Sequence, residues 1–298
     1  MWKIASIALL IVVLVVAAAM LWQHSRYVGI RREIVHDRQA IFHSGDAFHT
    51  VLFLASAPGS DVLEELRALK RATEGSEASW IYAGKAVLRA LESEQVGEKD
   101  WSAIVLLQYP SRETYEEHAE TAELRTALGR FDEVYTQGFR RWRGVNVMVH
   151  QLFLAARTGQ ILRGRPSHFP FTRAESAENL PRAAEFAGRL LEERELGGDA
   201  VVIVNLLKDG SPEQQAANRG YGLAMFGAMA EGGYGIMHIG QAVRVERDYD
   251  FDQVAIVYYP GVDFFVDMIR SEFFQGISGD KQLGDTQAII TVPILDRL

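Results

Sequence analysis

The sequence predicts an α+β protein in which two like halves stand behind an apolar N-terminal helix. Three observations carry that prediction. The stretch Asp100–Leu124 (DWSAIVLLQYPSRETYEEHAETAEL) returns as Asp250–Phe274 (DFDQVAIVYYPGVDFFVDMIRSEFF), with Tyr109-Pro110 falling on Tyr259-Pro260 at a gapless offset of 150 residues. A repeat of that length means two copies of one folding unit. Each copy reads as a short β-branched strand, a Tyr-Pro turn and a helical segment, because Pro110 and Pro260 cannot donate to a ladder. Ahead of both copies, Ile4–Trp22 is a nearly unbroken apolar run, close to the roughly 20 residues that span a bilayer.

Within the repeat, Ser111 is placed to cap the first helix. Phe265, Met268 and Ile269 form one helical stripe, and Tyr115, His118 and Ala119 are its more polar twin. The remaining elements follow in order. Strands are expected near His49–Ala55 and Trp80–Leu91, with a helix over Asp61–Thr73 between them, and Val145–Leu154 as the fourth strand. Thr158–Glu178 reads as a linker, and Pro181 opens a helix to about Leu196. The order then repeats with a strand at Ala200–Leu207, a helix at Pro212–Ala230 and strands at Tyr234–Val245 and Gln287–Ile294. Gly232–Gly235 (GGYG) precedes a strand and reads as a helix stop.

Each half is thus β-α-β-β-α-β, the ferredoxin-like order. One such sheet leaves a face bare, so two facing sheets in one chain form an intramolecular α/β barrel. The implied division is 1–24 transmembrane anchor, 25–47 helical stalk, 48–157 first repeat, 158–198 linker and helix, 199–298 second repeat. Trp2 and Trp22 suit the interfaces of a single-pass anchor, while Ala17-Ala18-Ala19 leaves a cleaved signal peptide as the rival. Arg26, Arg31 and Arg32 against Lys3 lean the soluble part to the cytoplasmic side. The net charge of −8 argues against nucleic acid as a partner. The chain has no cysteine, which excludes disulfides and thiolate chemistry.

At Trp101, at Tyr109-Pro110-Ser111-Arg112-Glu113 and again at Val204-Asn205-Leu206-Leu207-Lys208, the chain resembles the dimeric α/β-barrel superfamily. More narrowly, it resembles a small domain-of-unknown-function family with an aromatic-Pro-Ser turn after the third strand. The resemblance covers Phe48–Phe153 and Asp199–Ile294. It implies the barrel, and a superfamily that holds cofactor-free monooxygenases, muconolactone isomerases and chlorite-dismutase-like haem enzymes. The anchor and the absence of a clear haem-ligand pattern depart from it, and one fold hosts many chemistries.

Five residues stand out as ligand-site candidates. Asn205 interrupts the apolar strand VVIVNLL, and a buried Asn needs partners. His238 in IMHIG shares a strand face with Ile236 and Gly240, and suits acid–base work if it faces a cavity. Tyr109 and Tyr259 end the third strands, and His118 stands where Met268 stands in the other copy. For each, hydrogen-bonded packing is the plainer alternative. The histidines form no metal motif, His43 and His49 being too loosely spaced, and no cofactor is expected. The series Arg125, Arg130, Arg140, Arg141, Arg143 reads as a solvated face, or a contact with anionic headgroups if it faces a membrane. The expected role is a membrane-anchored module holding a small apolar ligand or a partner protein. The alternative is a cofactor-independent oxygenase or isomerase.

Overall fold

The computed structural model describes residues 2–40, 43–192, 200–247 and 249–298. Its first half runs β1 (Phe48–Ala55), α2 (Val62–Ala72), β2 (Ser79–Leu91), β3 (Ala103–Tyr109), α3 (Arg112–Ala119), α4 (Ala122–Leu128) and β4 (Glu133–Arg141), after the N-terminal helix α1 (Trp2–Val35). Two helices, α5 (Arg143–Leu162) and α6 (Leu180–Glu192), lead into the second half. That half runs β5 (Val201–Leu207), α7 (Pro212–Gly232), β6 (Gly235–Val243), β7 (Gln253–Tyr259), α8 (Val262–Ile269), α9 (Glu272–Ile277) and β8 (Gln287–Pro293). The boundaries of β3 and β7, and of α3 and α8, are separated by the same 150 residues as the sequence repeat. The caps agree as well: Ser111 accepts from the Thr114 amide, and Gly233 ends α7 in the left-handed region with φ 70°.

The strands close into a barrel of order β1-β3-β2-β8-β5-β7-β6-β4. Antiparallel seams β2·β8 and β4·β6 join the two half-sheets, so neither keeps a free edge. At the second seam Gly240 lies opposite Arg141, and a Cβ on Gly240 would stand 2.1 Å from the Arg140 carbonyl oxygen. Side-chain alternation sorts the residues. Phe48, Leu52, Leu54, Val105, Leu107 and Tyr109 pack outward under α2, α3 and α4. The opposite parity points inward: Val51, Phe53, Ile104, Leu106, Tyr82, Tyr135 and Phe139 meet Val202, Val204, Val254, Ile256 and Tyr258. Tyr82, Tyr135, Tyr258, Phe53, Phe139 and Ile104 are among the largest fully buried side chains, and they fill the space. Eight strands enclose an interior just wide enough for that.

Two sequence expectations are corrected here. The fourth strand is Glu133–Arg141, and Val145–Leu154 lies inside α5. The alternating valines of VNVMV imitate a strand, whereas the backbone partners that make one are supplied to Glu133–Arg141 by β1 and β6. The linker accordingly begins after Leu162, and the expected end of α6 at Leu196 lies outside the described residues.

The expected stalk is also different in kind. One helix continues through the apolar run to Val35, and its last turns are buried at Tyr27, Val28, Arg31 and Val35. By contrast every large apolar side chain from Ile7 to Val16 is more than half exposed. This helix is long and apolar enough to cross a membrane, with a mean hydropathy of 2.8 over its most apolar window.

Candidate functional site

The most unusual chemistry lies where α1 ends across one mouth of the barrel. His36, at φ 55°, turns the chain out of the helix, and the Arg38 amide then donates to the Ile81 carbonyl on β2 at 2.8 Å. On the other side the Tyr27 hydroxyl donates to the Ile236 carbonyl on β6 at 3.0 Å. This strap carries Arg31, Asp37 and Gln39 inward, exposed by no more than 3%. Arg31 Nε pairs with Asp37 Oδ2 at 2.6 Å, and Arg31 and Arg141 both donate to Gln39 Oε1. Arg31 also donates to the Met237 carbonyl at 3.1 Å, and the Gln39 amide to Asp37 Oδ1 at 3.0 Å. His238 Nε2 lies 3.4 Å from Asp37 Oδ2, a polar contact longer than a good hydrogen bond. Beside the cluster, His49 Nε2 sits 3.1 Å from Gln108 Oε1.

Burial and the Arg141 guanidinium push His238 down to about 3, although Asp37 pulls the other way. His238 is therefore neutral at physiological pH. Burial alone would raise the Asp37 carboxyl, but Arg31 and His238 outweigh it and hold it well below the usual carboxylate range. Burial, and then Arg31, bring Arg141 down to about 9, which leaves it charged at neutral pH. Burial and Arg141 likewise push His49 well below its ordinary value. The group is a sealed charge network. A base this weak, enclosed on every side, is poorly matched to proton transfer at neutral pH.

Of the five candidates from sequence, His238 alone points into the barrel. A register shift between Ile236 and His238 places His238 opposite the inward Ile256, so it does not share the face of Ile236. Asn205 lies opposite Ala255 on the outer face, where its Nδ2 donates to the Ala255 carbonyl at 3.0 Å and the Ile203 carbonyl at 3.3 Å. Tyr109 and His118 are brought together under α3, the hydroxyl 3.2 Å from His118 Nδ1. Burial raises the Tyr109 hydroxyl and lowers the His118 imidazole. Tyr259 packs on the outer face of the second half against Phe265 and Tyr234, at ring separations of 4.7 and 5.3 Å. The five do not converge.

Sequence reasoning passed over Asp37, Gln39, Arg31, Arg141 and His49 as members of one site. Arg141 was hidden by the misplaced fourth strand, and it is buried rather than on the solvated face expected of the arginine series. The period-two pattern of EVYTQGFRR, with Tyr135, Gln137, Phe139 and Arg141 on one face, is the signal that finds it. Among the described residues no group of three or more His, Asp or Glu side chains is placed to hold a metal.

A separate cleft of about 730 Å³ opens at the other end of β1 and β3 from His49 and Gln108. Pro58, Val62, Leu63, Trp101 and Ile294 supply its apolar wall, and Asp61, Lys85, Asp100 and Arg297 its polar groups. That volume and mixture are ordinary for a small-molecule site.

Fold and interior together define a single-chain α/β-barrel protein with a side-chain-filled interior and a charged plug in one mouth. No protein-family model matches the chain, and no curated protein matches it in sequence. Among solved structures it is similar to a mutant chlorite dismutase from Candidatus Nitrospira defluvii, at 8% identity over 90% of this chain and 97% of that one, with a TM-score of 0.43. An anthrone oxidase-like protein is similar at 10% identity, covering 84% of this chain and 92% of that one, with a TM-score of 0.41. A protein of unknown function from Rhodopseudomonas palustris is 20% identical over 41% of this chain and 98% of its own, with a TM-score of 0.31.

Proposed function

We propose that the chain is a membrane-tethered binding protein whose barrel is a rigid support, with recognition on the outer cleft rather than in the barrel. The observation that carries this reading is the filled interior, sealed at one mouth by Arg31, Asp37 and Gln39. A ligand in the barrel would have to displace close-packed aromatic side chains, at a cost that cavity-free cores do not readily meet. The cleft beside Trp101 needs no such displacement, and it suits a small, partly apolar molecule with one polar end. In this reading α1 is retained because its apolar run continues past Ala17-Ala18-Ala19 to Trp22, and Arg26, Arg31 and Arg32 against Lys3 favour the cytoplasmic side for the barrel.

The test uses the full chain in lipid nanodiscs, with Trp2, Trp22, Trp80 and Trp142 replaced by Phe so that emission reports on Trp101, and a panel of aromatic and aliphatic carboxylates as probes. Binding should be lost in Ala57→Phe, which fills the cleft, and retained in His238→Asn. The reverse pattern, or oxygen uptake that depends on His238, would return the site to the barrel and favour the oxygenase alternative. Carbonate extraction should leave the full chain in the membrane fraction.

A further inference from the structure

We propose that α5 is a second membrane contact, lying in the bilayer interface with its outer face among the lipid headgroups and upper acyl chains. This rests on the reading that α1 enters a bilayer. Followed backwards from the barrel, α1 touches Met237 through Arg31, then Ile236 and Tyr258 through Tyr27, then α5. At α5 His24 and Tyr27 meet the His150 ring at 4.7 and 5.4 Å, and Gln151 Nε2 donates to the Met20 carbonyl at 2.8 Å. From Ile7 to Val16 the large apolar side chains of α1 are exposed. So α5 is the last layer of the body that α1 meets before its apolar run begins, and its outer face borders the place where that run enters lipid.

The chemistry of that face agrees. Between Arg143 and Arg163 the only charged residue is Arg157, and it turns back toward Glu231 at 3.7 Å. Val149 and Phe153 are buried against the body, while Met148, Leu152, Leu154, Ile161 and Leu162 are exposed, Leu162 by 82%. Leu223 of α7, exposed by 75%, extends the patch across a shallow groove that it shares with Ala155, Gly159 and Arg163. Exposed Trp142 with Arg143 brackets one end of the helix, and Arg163 with Arg165 the other. An apolar helical face bordered by aromatic and basic residues is the composition that settles into an anionic interface. For a protein in water the same patch would be a liability.

The chain lacks cysteine, so each single-cysteine variant carries one label without further engineering. Leu152→Cys, Leu162→Cys and Leu223→Cys, with Glu64→Cys on α2 as the distant control and Val13→Cys on α1, are labelled with an environment-sensitive dye. They are then reconstituted in vesicles holding anionic lipid. Shallow nitroxide-labelled lipids should quench the three patch labels at least about two-fold more than the Glu64 label, as expected for a helix buried roughly 5–10 Å deep. Deep nitroxides should quench the Val13 label. If Val13 is quenched and the patch labels behave like Glu64, this inference fails while the anchor stands. If Val13 is not quenched, the anchor reading itself has failed. Patch labels shielded from water but unquenched by lipid, and exposed again in nanodiscs holding one chain, would show that a second copy covers the face and would overturn the proposal.

Discussion

At the scale of single residues, the buried network sets how the fold responds to acid. An unfolded histidine takes its proton near the usual value of about 6.5, but folded His238 does so only near about 3. Between those values the unfolded chain binds the extra proton, so stability is complete above the first and falls as pH drops toward the second. His43 and His150, both lowered to about 4 chiefly by burial, push the same way. From pH 6.5 to 5 His238 alone should cost about 2 kcal/mol, at about 1.4 kcal/mol per unit. Melting curves at pH 7.5 and 5.0 should show a smaller drop for His238→Asn than for the wild type, and an unchanged drop would refute this. Asp37→Ala leaves Arg31 and Arg141 buried without their carboxylate, which should cost about 3–5 kcal/mol. Asn205 is tied to two carbonyls, so Asn205→Leu should destabilise by about 1–3 kcal/mol without touching ligand binding in the cleft. A variant that melts normally but binds poorly would put Asn205 back in a site.

Elements form or fail according to the partners they meet. The repeated strand and helix, the Ser111 cap and the stop at Gly233 could all be read from local chemistry, and the structure keeps them. The β4 strand is legible only through its period-two alternation. Its Gln137 and Gly138 weaken the local β signal, and Gln137 is tolerated inside because its Nε2 donates to the Val243 and Gly138 carbonyls at 2.9 Å and its Oε1 accepts from the Tyr135 hydroxyl. Closure of the barrel depends on the β4·β6 seam, where Gly240 lets the two backbones approach. Gly240→Ala should therefore cost at least the roughly 1–3 kcal/mol of overpacking, with faster amide exchange concentrated in Arg140–Arg141 and Gly240–Val243. Protection that stays even around the barrel would contradict this account of the seam.

Across the whole molecule, α1 is both the apolar helix and part of the barrel's closure. A chain beginning at Gln23 keeps Tyr27, Arg31, Asp37 and Gln39 and should fold. One beginning at Ser44 loses all four, exposing Arg141 and His238, and should melt substantially lower. Equal melting of the two would show that the strap does not contribute.

The sequence by itself determined the repeated strand–turn–helix at an offset of 150 residues, the apolar helix and the absence of cysteine, since periodicity, turn chemistry and composition are local properties. Only the tertiary structure decided where Arg31, Asp37, Gln39, Arg141 and His238 meet, because they come from α1, the segment that follows it, β4 and β6 and are adjacent only after the barrel closes. It also separated His238 from the other four candidates. Inward and outward differ by a single residue of register, and the shift between Ile236 and His238 is set by the neighbouring strand rather than by the pattern along its own.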